Sequence, residues 1–89
     1  MAYAVILRVE LEGDPDEGMK LLHDVVVPHT KSLAGFQRGM WMDDGQGHGT
    51  GVIVFDTEAN ATAAVPGVQP PPGGPKVSDC AAWEVVAEA

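Results

Sequence analysis

Eighty-nine residues carry 13 acidic and 5 basic side chains, a net charge of −8, and 45% of them are apolar. An acidic surface repels phosphate backbones and anionic lipid headgroups, which argues against nucleic acid and membranes as partners. The single cysteine, Cys80, excludes an intramolecular disulfide and any cysteine-based metal cluster.

The chain reads as one domain, residues 1–89, with a mean hydropathy near zero. Residues 2–12 alternate with period two. Tyr3, Val5, Leu7, Val9 and Leu11 share one face, and Ala4, Ile6, Arg8 and Glu10 share the other. This is a strand, and with Arg8 inside its apolar run and no basic flank it reads as neither signal peptide nor membrane span. The expected compartment is the cytoplasm. Asp14 then offers an N-cap, with Pro15 at the first helical position and Glu17 three residues on. The spacing predicts a helix over residues 16–32, with a stripe of Met19, Leu22, Val26 and Leu33 and with His29 or Thr30 between them. Pro28 removes one hydrogen bond, so the helix is expected to kink or to stop near Val27.

Residues 36–43 form a second expected strand, with Phe36, Arg38, Met40 and Met42 opposite Gln37, Gly39, Trp41 and Asp43. Residues 44–49 make a glycine-rich turn into a third strand, 50–56. The turn joins two strands and is headed by Asp43 and Asp44, which suits a hairpin and not a phosphate cradle. Thr57 caps a short alanine-rich helix at 58–65. Residues 66–75, PGVQPPPGGP, make a loop, partly polyproline II, that could fold over a pocket mouth. A last strand follows at 77–87, with Ala81, Trp83, Val85 and Ala87 on one side.

The expected class is therefore α+β, a ferredoxin-like βαββαβ unit with a four-stranded antiparallel sheet. Helices are sufficient to cover one face of that sheet only. The third strand nonetheless pairs Val52 and Val54 on one side with Ile53 and Phe55 on the other. An uncovered apolar face is rare on monomers, so a homodimer joined through the sheet face is expected.

The strand AVILRVEL, the segment VVVPHTKSLAGF, the hairpin FQRGMWMDD with GTGVIVFDTEANA, and the closing WEVVAEA resemble the dimeric α/β-barrel superfamily. Within it, the likeness is to the antibiotic-biosynthesis-monooxygenase-like branch. The resemblance implies a dimeric α/β barrel and small-molecule binding, with cofactor-independent monooxygenase-like activity on an aromatic or polyketide-like compound. The helix TEANATAAV lacks the histidine that haem-degrading members carry there, so no cofactor is expected. The resemblance also implies a pocket using Trp41, Arg38 and Tyr3.

From residue chemistry, His29 on the helix stripe is the candidate general base, because an imidazole titrates near neutrality. Arg38 is the candidate anion stabiliser, and Trp41 and Tyr3 are candidate ligand-pocket walls. No metal is expected, since His23 and His29 project roughly 120° apart around a helix. Arg8 and Glu84 are expected as cross-strand partners. The alternative to the ligand-binding or enzymatic reading is a non-catalytic dimeric accessory or regulatory module, with both tryptophans in the core.

Overall fold

The computed structural model describes residues 2–89. Strand β1 (Tyr3–Glu10) leads into α1 (Pro15–Leu21), a π-helical turn (Leu22–Val26) and α2 (Val27–Lys31). Strands β2 (Phe36–Asp43) and β3 (His48–Phe55) form a hairpin, followed by α3 (Glu58–Ala64) and β4 (Lys76–Glu84). The sheet is antiparallel in the order β2-β3-β1-β4. This is the ferredoxin-like arrangement with helices on one face.

The sheet is open, and this corrects the barrel expectation. Strands β2 and β4 are each hydrogen-bonded on one side only and lie at opposite edges. Four strands in that order do not close on themselves, because closure requires the edge strands to pair. The α/β-barrel architecture, the dimeric α/β-barrel superfamily and its antibiotic-biosynthesis-monooxygenase-like branch therefore do not describe this chain. The segments that carried the resemblance mark strand and helix boundaries, which an open α+β sheet uses equally well.

Both helix starts follow from their caps. The Asp14 carboxylate accepts the Asp16 N–H at 2.9 Å, and the Thr57 hydroxyl accepts the Asn60 N–H at 3.1 Å. Pro28 does not end the helical run. A proline cannot donate, and its ring crowds the carbonyl four residues back. The backbone widens just before it, with the Val27 N–H reaching Leu22 O, and the helix continues to Lys31.

The core lies between the sheet and α3. Val5, Ile53, Phe55, Ala61, Ala64 and Val68 are buried together, with Tyr3, Leu33, Phe36, Trp41, Val65 and Cys80 packed around them. Phe36 departs from strict alternation. The β2–β3 register shifts between Phe36 and Arg38, so Phe36 joins the helix side and meets Phe55 edge to face at 6.4 Å. The expected Arg8–Glu84 pairing also shifts. Arg8 lies opposite Asp79, and Glu84 lies opposite Tyr3.

The other sheet face has no helix over it. Met40, Val52, Ile6 and Ala81 form one continuous row across all four strands, and Arg38, Val54, Ala4 and Trp83 form the next. After β4 the chain turns back, with the Val85 N–H on Ala2 O, and Glu88 reaches Arg38 on β2. Ala4 and Val54 are buried near this end, whereas Met40 is 58% and Trp83 56% exposed.

Gly35 locks the two crossover junctions together. Its φ is +79°, its carbonyl accepts the Asp56 N–H at 3.0 Å, and Asn60 donates to Asp56 Oδ1 at 2.8 Å. A Cβ at this position would overlap Asp56 and Asn60. Gly35→Ala is expected to cost at least about 2 kcal/mol from the left-handed backbone and the overlap combined. Urea unfolding checks this, and a loss below about 0.5 kcal/mol would contradict the packing described.

Candidate functional site

A concavity lies between the first helix and the proline-rich loop, a groove of about 420 Å³. The helix contributes Val25, Val26, His29 and Thr30. The loop contributes Pro66, Pro70, Pro71 and Pro72, with Gly67 and Gln69 between them. The loop is held by the Val68 N–H on Ala64 O at 2.9 Å and the Gly74 N–H on Pro71 O at 3.0 Å. Leu21 packs under Gly74, and Leu33 under Gly67. The proline segment is thus part of the helix-side layer.

Of the four residues expected to make a site, His29 alone lines this groove. Its ring is exposed and has no hydrogen-bond partner among the described residues. Arg38 lies on the opposite face of the sheet, paired with Glu88. Trp41 is on the helix side but lies flat on the sheet. Its indole covers Gly39 and Gly51, where an added Cβ would come within 3.0 and 3.1 Å of the ring. Tyr3 stands near the carboxyl end of β4, its hydroxyl 3.5 Å from Glu84 Oε2. Burial and the nearby Glu84 and Glu58 carboxylates push its phenol up. The four side chains do not converge.

Two buried polar atoms have no partner among the described residues: the Thr30 hydroxyl and the Trp41 indole nitrogen. Thr30 is 1% exposed and is among the residues that line the groove. Sequence reasoning offered Thr30 or His29 on the helix stripe but did not choose Thr30 as a site residue, because a threonine in a helix normally returns its hydroxyl to a carbonyl three or four residues back. Its position on the stripe beside Val26 and Leu33 was the available signal. For the indole, the signal was Gly39 two residues before Trp41 and the run of glycines facing it on the next strand.

Cys80 is partly buried, its thiol 3.6 Å from Val65 O. Burial pushes the thiol up, with a hydrogen bond from Gln69 opposing this and the Asp79 carboxylate adding to it. The hairpin loop is organised by carboxylates. Asp43 accepts the Gly45 N–H, and Asp44 accepts the Gln46 and His48 N–H groups and pairs with the His48 ring at 3.1 Å. Among the described residues no group of three or more His, Cys, Asp or Glu side chains is arranged to hold a metal. No helix among them is long and apolar enough to cross a membrane. No family model matches the chain, and no curated protein matches it.

Asp44 supplies a pH test of the loop. The Gln46 N–H is the main cause holding its carboxyl below the usual carboxylate range, and the His48 backbone and ring add to this. A depressed folded value means that the stabilisation is present above the unfolded value and lost as pH falls through the folded one. In an NMR titration Asp44 is expected to titrate below the usual aspartate range, with the Gln46 and His48 amide shifts following it. An ordinary aspartate midpoint would contradict the loop geometry.

Proposed function

We propose that the chain is a homodimeric small-molecule-binding module. In this reading two copies join through their uncovered sheet faces, and each offers its helix–proline groove to a small apolar or aromatic ligand.

The observation that carries the dimer is the composition of the uncovered face. Its central row of Met40, Val52, Ile6 and Ala81 is wholly apolar, with Met42 and Trp83 beside it. Its charges balance. Arg8, Arg38 and Lys76 stand against Glu10, Asp79 and Glu88, so three of the five basic residues of the chain lie here. The excess of −8 is therefore carried elsewhere. A second copy meets far less repulsion on this face than on any other, and the basic residues offer partners to its carboxylates. Four strands at about 4.8 Å spacing and eight residues at about 3.3 Å rise make a face of roughly 500 Å² before side-chain relief. That approaches the scale of about 800 Å² per partner in stable interfaces.

The groove supports binding more than turnover. Its volume falls in the range of small-ligand clefts, and most of its lining is apolar. His29 is the one titratable side chain that lines it. Arg38, the anion stabiliser expected beside it, is on the far side of the sheet.

Sedimentation equilibrium tests the dimer, with an expected mass of twice the 9.3 kDa chain at micromolar concentration. Met40→Glu puts a charge into the apolar row that the second copy would cover, and burying it unpaired is expected to weaken association at least about tenfold. The variant should keep its circular dichroism, because Met40 is exposed in the single chain. A monomeric wild type would overturn the proposal.

A further inference from the structure

One end of the helix-free sheet face is covered by the chain itself, through the residues that follow β4. Taking that face as the dimer surface, as proposed above, we infer that residues 85–88 are a strap that holds back dimerisation. Docked, the strap occupies the end row of the face and keeps the second copy off it. Released, it opens that row to the partner's sheet.

Its path follows from the two places where it is tied. The chain leaves β4 at Glu84, beside Trp83, and the Val85 N–H bonds Ala2 O at 3.0 Å. The Glu88 carboxylate then accepts from the Arg38 guanidinium on β2, at the opposite edge of the sheet. Four extended residues span about 13 Å, and the two side chains supply the rest of the roughly 14 Å between the edge strands. Trp83 and Arg38 are the ends of one register row, with Ala4 and Val54 between them. The strap therefore runs along this row.

Burial along the face follows the strap. Ala4 is 6% and Val54 8% exposed, although no helix stands over them. One row further on, Ile6 and Val52 are half-buried and Met40 is exposed. Two packed sheets stand about 10 Å apart, and a segment lying on one of them fills that gap. The whole face offers roughly 500 Å², against about 800 Å² per partner in stable interfaces. Losing its end row therefore decides between weak and firm association.

The ties are weak enough to let go. The Arg38 and Glu88 side chains are 68% and 53% exposed. Ion pairs so placed add little, because water and salt screen them. Val86 is 75% exposed and so gives the strap little apolar hold. A hollow of about 160 Å³ is left between Ala2 and residues 85–88, so the strap is seated without close packing.

The test releases the strap in the full chain. Glu88→Ala removes the outer tie, and Glu17→Gln on α1 makes the same change of net charge away from the sheet. Sedimentation equilibrium gives the dimer constant. Methyl relaxation by a soluble gadolinium chelate, on the dilute single chain, gives the exposure of Ala4 and Val54. Losing an exposed pair shifts the strap about twofold or more per chain, and both chains of a dimer must release. Glu88→Ala is therefore expected to tighten the dimer at least about fourfold relative to Glu17→Gln, with faster relaxation of the Ala4 and Val54 methyl groups. Faster relaxation with unchanged or weaker association would overturn the strap and leave the dimer standing. Methyl groups that stay protected when Val85→Pro also removes the root hydrogen bond would show that residues 85–88 do not cover them, which overturns it too. If neither wild type nor any variant associates, the dimer reading falls and the strap with it.

Discussion

The uncovered face of the sheet is the constraint on which the rest of the structure depends. A chain of this length builds only enough helix to close one side of four strands. The helix side takes the residues that need full burial, Val5, Ile53 and Phe55. Each such side chain contributes roughly 1.5–3 kcal/mol when removed from water. The other side keeps Ile6, Val52, Met40 and Ala81 in one row. Only the end near Ala4 and Val54 receives cover, where the tail turns back towards Arg38.

This arrangement explains where the groove lies. The space between sheet and helices, where a pocket is usually sought in such a fold, is filled by α3, Trp41, Leu33 and Val68. The first helix contributes little to that core. Thr30 is the buried residue of α2, and α1 and the π-helical turn have none. The outer flank of that helix is left to the proline-rich loop, and the concavity forms between the two. Gly35 sets the angle at which the helix leaves for β2, through its contacts with Asp56 and Asn60.

Much of the fold was legible in local sequence because its signals are local. The period-two pattern of Tyr3 to Leu11, the Asp14 and Thr57 caps and the Asp44 turn each act through neighbours within a few residues. The ferredoxin-like order follows from them. Barrel closure did not follow, because it depends on edge pairing, which no single strand encodes. The side taken by Phe36 was hidden by one register shift before Arg38. The candidate site was less legible. His29 was singled out and lines the groove, whereas Arg38, Trp41 and Tyr3 were grouped by residue type and are separated by the sheet and its register. Thr30 was offered beside His29 on the helix stripe, but whether a helix hydroxyl finds a partner is not encoded in that spacing.

The central claim is that the uncovered face meets a second copy of the same face. Isotope-filtered NMR on an equimolar mixture of labelled and unlabelled chains tests it most directly. The account predicts intermolecular contacts from the Met40 and Met42 methyl groups to the side chains of Ile6, Val52 and Trp83. Their absence, together with the tumbling time of a single chain, would contradict it.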